Sequence, residues 1–235
     1  MNPCYEESVD KNFLRAVELC STTFSRDELF AFLQNGNMPE KQFAALEIDS
    51  VQTQNEADIL MKNLTGCDGK IREAVAFKLS EVIPCCKELF LKYPDIFADA
   101  TIDINANICR IIIELLPYLK DREFAIAYTN KMYKFIDEAF AQLDSFIFRD
   151  KKYTINKQLF KLYWCLEGLN VFFDFLDEEK LYKVLSKCAE ISEYTIREKT
   201  ALLLCNNIQS AQLIELRQAL KNDTNYYVRA LYVRP

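Results

Sequence analysis

The stretch DGKIREAV at 68–75 returns as EYTIREKT at 193–200 and, in shortened form, as NYYVR at 225–229. Each copy places an apolar residue directly before an arginine: Ile71 and Arg72, Ile196 and Arg197, Val228 and Arg229. Short phrases that recur along a chain are typical of proteins built from repeated helix pairs. The repeat therefore predicts that similar helical units follow one another along this chain.

The apolar residue of each phrase serves as an anchor for measuring the units. Two weaker matches, Ile108 and Ile155, divide the chain into intervals of 37, 47, 41 and 32 residues. Repeats made of helix pairs are about 40 to 47 residues long. Apolar residues also stand four and eight positions after most anchors, which places them on one face of a helix.

These patterns predict an all-α protein, a right-handed superhelical solenoid of stacked antiparallel helix pairs. We expect a single domain over 1–235, because no linker or low-complexity stretch interrupts the chain. Its irregular units are expected around 39–83, 85–119, 121–176, 178–207 and 210–235.

Local signals place the helices. Ser25 with Glu28 and Thr53 with Glu56 have the spacing of capping boxes, and Pro117 is expected to end or kink a helix. Phe77, six residues after its anchor, is expected to be buried on a second helix face. The helices are predicted near 10–20, 25–35, 39–49, 54–65, 69–83, 85–92, 105–119, 121–147, 155–176, 178–190, 194–207, 210–221 and 225–233.

Composition limits the classes of function. The formal charge of -6 argues against nucleic acid as a partner, because phosphate binding needs a concentrated basic surface. No apolar run approaches the length of about 20 residues that spans a membrane, and no export signal opens the chain. We therefore expect a cytoplasmic protein whose nine cysteines are reduced thiols.

Histidine is absent from the chain. This absence removes the commonest general base, the commonest catalytic metal ligand and every nucleophile activated by histidine. The acidic run from Asp174 to Glu179 is explained by the charge preference of a helix start. We expect no catalytic residue, no metal site and no cofactor.

The phrase with its aspartate, its Ile-Arg pair and the helix that follows resembles the second helix of a HEAT repeat, within the armadillo-like helical superfamily. In that family the aspartate and arginine commonly form hydrogen-bonded ladders between units. The resemblance implies this structural role for Asp68, Arg72, Arg197 and Arg229. Cys109 and Asn156 occupy the arginine position in the two middle units, so the ladder is expected to be interrupted there.

A basic cluster interleaved with aromatic residues is the candidate site for a partner. Lysine and arginine beside aromatic rings suit a phosphate or an acidic segment. A solvated helix start, with lysine stems that cover apolar surface, is the alternative explanation and the one we favour. The cluster consists of Arg149, Lys151, Lys152, Tyr153, Lys157 and Lys161.

The last residues are unusually apolar for a terminal repeat, which normally has a polar outer face. This composition predicts that the end is covered by the rest of the chain or by a second copy in a homodimer. The residues are Tyr226, Tyr227, Val228, Leu231, Tyr232 and Val233.

The resemblance implies a non-catalytic scaffold that binds another protein along a curved face. The alternative is a nucleic-acid-binding or nucleic-acid-modifying enzyme on a HEAT-like scaffold, similar to DNA alkylation-repair glycosylases. That class uses paired tryptophans and a basic concave face, whereas this acidic chain has one tryptophan, Trp164.

Overall fold

The structure is a computed structural model that describes residues 3–145 and 152–233, with side chains described for 11–144 and 155–233. Over these residues the secondary structure consists of α-helices and short 3₁₀ helices, without a strand. The predicted all-α class is confirmed. The chain divides into two compact units, Met1–Leu119 and Lys120–Pro235, referred to below as the N-terminal and C-terminal units.

Seven α-helices lie in the described part of the N-terminal unit. They are α1 (Pro3–Cys20), α2 (Arg26–Asn35), α3 (Met38–Glu47), α4 (Gln54–Leu64), α5 (Gly69–Cys86), α6 (Pro94–Thr101) and α7 (Ala106–Leu115). Consecutive helices pair as α2 with α3, α4 with α5 and α6 with α7. The first members of these pairs contact one another in the order α2, α4, α6, and the second members in the order α3, α5, α7.

Hydrogen bonds from side chains to free backbone N–H groups explain where most of these helices begin. Ser25 and Thr53 form the predicted capping boxes, and Asn37 forms a third with Glu40. Asp68 and Asn105 cap α5 and α7. Each cap satisfies N–H groups that have no partner within the helix.

The segment between Pro84 and α7 differs from the prediction. The helix expected at 85–92 is wrong: α5 continues through Pro84 to Cys86, and a 3₁₀ helix follows at Lys87–Leu89. A proline in the last turn disturbs few helical hydrogen bonds, and buried Val82 and Ile83 hold this turn against the core. Helix α6 was not predicted, because it has only eight residues and no capping side chain.

Six α-helices lie in the described part of the C-terminal unit. They are α8 (Arg122–Ser145), α9 (Lys152–Val171), α10 (Glu178–Glu190), α11 (Tyr194–Leu204), α12 (Ala211–Leu220) and α13 (Tyr226–Ala230). Helix α8 packs on α9, α10 on α11 and α11 on α12. Helices α9, α11 and α13 contact one another in that order, and α10 contacts α12.

Helices α8 and α9 approach closely at Gly168. A Cβ atom built on Gly168 would collide with the Tyr128 hydroxyl and lie 3.1 Å from two atoms of its ring. Tyr128 is fully buried, so this ring has little room to move. The glycine is therefore required by packing.

The predicted apolar stripe forms the core in both units. The anchors Ile71, Ile108, Ile196 and Val228 are buried, whereas Ile155 is half-buried. The stripe positions that follow Ile71, Ile108 and Ile196 are buried as well, whereas Tyr232, four residues after Val228, is half-buried. The buried positions are Val75, Leu79, Ile112, Leu116, Thr200 and Leu204.

Candidate functional site

The arginine of the first phrase joins neighbouring helix pairs. Arg72 on α5 donates through Nε and Nη2 to the two carboxylate oxygens of Asp103, at 2.7 and 3.1 Å. Its Nη1 donates to the carbonyl oxygens of Gly66 and Cys67, at 2.9 and 3.1 Å. Asp103 lies just before α7. The Arg72 guanidinium therefore connects the turn before α5 with the turn before α7.

The second copy has the same geometry. Arg197 on α11 donates to the two oxygens of Asp223 at 2.7 and 3.2 Å, and to the carbonyls of Ile191 and Ser192. Both pairs are largely shielded from water, and hydrogen bonding from Arg197 is the main cause that holds the pKa of Asp223 below its ordinary value. Arg229 donates to the carbonyl oxygen of Asp223.

The two carboxylates were missed in the sequence, although they carry a signal. Asp103 and Asp223 each stand five residues before an anchor and two residues before the asparagine that caps the next helix. Asp68, expected to join the ladder, instead accepts hydrogen bonds from the backbone N–H groups of Lys70 and Ile71. The phrase therefore builds inter-helix connections whose arginines are already occupied.

Cys109 partly replaces the arginine in the unit around 85–119. Its Sγ donates to the carbonyl oxygen of Asp103 at 3.0 Å, where an arginine at this position would also donate. Burial raises the pKa of the Cys109 thiol to about 12, so the thiol keeps its proton. Asn156, the other departure from the phrase, lies exposed on α9.

The predicted basic cluster lies largely outside the described side chains. This applies to Arg149, Lys151, Lys152 and Tyr153. Lys157 is exposed on α9. Lys161 pairs with Glu138 at 3.0 Å and lies 4.6 Å from the ring centroid of Phe135, so its charge is partly engaged by the protein itself.

Two carboxylates of the acidic run have structural partners. Asp177 caps α10, and Glu178 accepts hydrogen bonds from the backbone N–H groups of Gln209 and Ser210 before α12. Within the described ranges no three His, Cys, Asp or Glu side chains are grouped as metal ligands. None of the helices there combines the length and apolar character needed to cross a membrane.

A groove of about 670 Å³ opens on the surface formed by α3, α5 and α7. Leu46 and Phe77 contribute apolar side chains that are 44% and 50% exposed, and Lys70 and Arg110 contribute exposed cations. The prediction that Phe77 is buried is wrong, because half of its side chain is exposed to water. The lining residues are Gln42, Leu46, Lys70, Glu73, Ala74, Phe77, Asn107, Arg110 and Ile111.

The groove residues follow the repeat. Lys70 and Asn107 stand one position before their anchors, and Glu73 and Arg110 stand two positions after them. Asn107 donates to Glu73 at 3.0 Å, which links α7 to α5 across the groove. The groove therefore uses a helix face that the anchor stripe leaves free.

An ion pair lies on the corresponding face of the C-terminal unit. Lys199, three residues after its anchor Ile196, forms an ion pair with Glu167 on α9 and lies 4.8 Å from the ring centroid of Tyr163. Both charged side chains are mostly buried. This contact fills the space between α9 and α11.

A second exposed apolar surface lies at the start of α11 and α13. Tyr226 and Tyr227 are 68% and 58% exposed. The Tyr227 ring stacks on Tyr194 with centroids 5.9 Å apart and meets Tyr226 edge-on at 5.6 Å. Val228 is buried, so α13 is anchored to the core while its tyrosines are exposed.

Comparison with known proteins identifies no family. No model of a protein family matches the chain, and no curated protein matches it. One solved structure that resembles it is an engineered protein determined by the Northeast Structural Genomics Consortium. The two are 12% identical with a TM-score of 0.45, over 89% of this chain and 94% of that chain.

Proposed function

We propose that this protein is a non-catalytic scaffold of HEAT-like helix pairs that binds another protein in the groove over α3, α5 and α7. The observation that carries the proposal is the groove itself, with Leu46 and Phe77 exposed between helices whose other faces are buried. Half-exposed large apolar side chains in a concave surface are typical of sites that become buried in a complex.

The repeated arginine contacts support the HEAT-like part of the proposal. Arg72 with Asp103 and Arg197 with Asp223 join successive helix pairs in the same manner. The recurrence of this contact at two steps favours a superhelix, right-handed as in the family that the phrase resembles. Such arrays present their inner helices along an extended binding surface.

The form of the groove favours binding over catalysis. Its lining comes from the three packed helices α3, α5 and α7, and its cations are exposed to water. A catalytic pocket instead converges ionisable groups on one shielded point.

The proposal is tested with two variants matched in exposure. Phe77→Ser removes the aromatic side chain from the groove, and Tyr118→Ser removes one that is 49% exposed on the 3₁₀ helix after α7. Tagged wild type and both variants are used for affinity capture from lysates of the organism that encodes the protein, with quantitative mass spectrometry. We expect specific partners to be lost with Phe77→Ser and retained with Tyr118→Ser.

Thermal unfolding of both variants checks that the fold is intact. Because both side chains are half-exposed, we expect similar, small decreases in melting temperature. An identical set of partners for folded Phe77→Ser and wild type would refute the groove as the binding site.

The C-terminal tyrosine surface supports a second contact, a homodimer through this end of the chain. Aromatic residues with large exposed area are enriched at protein interfaces. Light scattering at increasing protein concentration tests the contact: we expect a dimer mass that Tyr227→Ser shifts toward the monomer. A monomeric mass of the wild type at high concentration would contradict it.

A further inference from the structure

The charges of the groove differ from those of the whole chain. The chain has a formal charge of -6, whereas the groove contains the cations Lys70 and Arg110 and the single carboxylate Glu73. Glu73 accepts a hydrogen bond from Asn107. Within the described part of the chain, neither Lys70 nor Arg110 takes part in an ion pair.

The two cations therefore form a small positive surface on an acidic protein. An acidic segment is attracted to this surface and repelled by the rest of the molecule, which favours its binding in this place and orientation. Leu46, Ala74, Phe77 and Ile111 add an apolar floor and wall, which a purely acidic segment would leave exposed to water.

The dimensions of the groove suit a short helix. Neighbouring packed helices have axes about 8–10 Å apart, so the surface from α3 to α7 extends about 16–20 Å. A helix of about 11 to 14 residues covers this distance at 1.5 Å per residue. Its apolar side chains at i, i+3 or i+4, and i+7 lie on one face, as recognition in a groove requires.

We propose that the groove binds an amphipathic helical segment of a partner protein, with Leu- or Phe-like side chains on one face and Asp or Glu at its edges. This inference rests on the proposed function and specifies the partner at the same site. Lys70 and Arg110 attract the acidic edges, and Leu46 and Phe77 bury the apolar face.

Nucleic acid fits the same surface less well. Two cations neutralise few phosphates, whereas affinity for nucleic acid grows with the number of phosphate contacts. The carboxylate of Glu73 lies in the same groove and repels a phosphate backbone. Phe77 is the single aromatic ring among the lining residues, so the groove lacks the series of rings on which successive bases stack.

The test is a selection of peptides on the full-length protein. A displayed library of random peptides of about 14 residues, long enough for three to four helical turns, is selected on the wild type and on K70E/R110E. The control K62E/K87E makes the same change in net charge at exposed lysines on α4 and on the 3₁₀ helix after α5, outside the groove. F77S and Y118S are included as a second matched pair.

We expect peptides from the wild type and from K62E/K87E to be enriched in Asp and Glu around Leu, Phe or Trp at helical spacing. K70E/R110E should instead select Lys and Arg around the same apolar residues. For a synthetic peptide selected on the wild type, fluorescence anisotropy should show affinity at least about tenfold weaker for K70E/R110E and unchanged for K62E/K87E. Its affinity should also fall when salt is raised.

Two results separate the inference from the proposed function. Peptides without acidic enrichment whose selection is lost in F77S would overturn the acidic partner and leave the groove as a binding site. Failure to enrich any peptide, or enrichment that F77S leaves unchanged, would refute both. Binding of labelled oligothymidylate that K70E/R110E abolishes and F77S does not would overturn the inference in favour of nucleic acid.

Discussion

Replacing Arg72 by methionine removes the guanidinium that joins α5 to the turn before α7. Methionine retains much of the length of the aliphatic stem and avoids a large cavity. The two hydrogen bonds to Asp103 and the two to the carbonyls of Gly66 and Cys67 are lost together. The variant therefore reports mainly on the polar contact.

The size of the effect follows from the burial of the pair. The side chains of Arg72 and Asp103 are 13% and 10% exposed. An exposed ion pair contributes about 0–1 kcal/mol, and disruption of a fully buried pair costs about 3–5 kcal/mol. The energy of this pair should lie between these limits. Asp103 retains a hydrogen bond from the N–H of Asn105 at 2.8 Å. We expect Arg72→Met to lower the free energy of unfolding by about 2–4 kcal/mol.

Urea denaturation followed by far-UV circular dichroism measures this free energy. The midpoint should move to lower urea with an unchanged slope. Lys183→Met is the control, because it breaks an ion pair with Glu179 whose side chains are 69% and 75% exposed. We expect the control to unfold at the midpoint of the wild type.

A double-mutant cycle with Asp103→Asn isolates the pair. The double variant should lose less than the sum of the single variants, by about 1–3 kcal/mol. A loss below about 0.5 kcal/mol for Arg72→Met, equal to that of an exposed pair, would refute the reasoning that this contact holds successive helix pairs together.

Two further predictions concern packing and pH. Gly168→Ala should destabilise the protein, because the new methyl group collides with buried Tyr128. This collision should outweigh the better helix propensity of alanine. Adding Tyr128→Phe removes the hydroxyl and should restore part of the lost melting temperature. Burial raises the pKa of Glu56, but hydrogen bonds from Arg26 and from two backbone N–H groups outweigh it and hold the pKa at about 2. As the pH falls, Glu56 therefore binds a proton in the unfolded chain before it does so in the folded chain. The free energy of unfolding should fall between pH 4.5 and 2, and Glu56→Gln should make this fall smaller.

Each of these predictions has its own check. Gly69→Ala is the control for Gly168, because its new methyl group would meet only Arg72 Nη2 at the ordinary distance of 3.8 Å. If Gly168→Ala melted like Gly69→Ala, the close approach of α8 and α9 would be wrong. If the urea midpoint of Glu56→Gln followed pH as steeply as that of the wild type, Glu56 would not be a source of acid sensitivity.

Most helix positions follow from local chemistry and could be read from the sequence. The capping boxes of Ser25 and Thr53 lie where predicted, because each depends on residues within three positions of one another. The anchors were found in the same way, since a helical period places Ile71, Val75 and Leu79 on one face. Helix α6 escaped detection because packing of residues such as Phe97 stabilises it in place of a cap.

The groove could not be predicted, because the exposure of a side chain depends on which helices pack around it. Phe77 and Leu202 stand at the same position after their anchors, yet Phe77 is exposed and Leu202 half-buried. Nothing within a few residues of Phe77 signals this difference. The partners of the repeated arginines, Asp103 and Asp223, lie 31 and 26 residues away. Their shared position before the next anchor marks them, but the repeat alone does not pair them with an arginine.

The sequence by itself determined that the chain is helical, where most helices start, and which residues face the core. These features depend on side chains that are neighbours along the chain, joined by hydrogen bonds of a few residues' span or by the period of 3.6. Only the tertiary structure decided which carboxylate each arginine meets and which helix face stays open. Those outcomes depend on residues about 30 positions apart, which meet when one helix pair packs against the next. A pattern that extends over a few residues cannot specify such a contact.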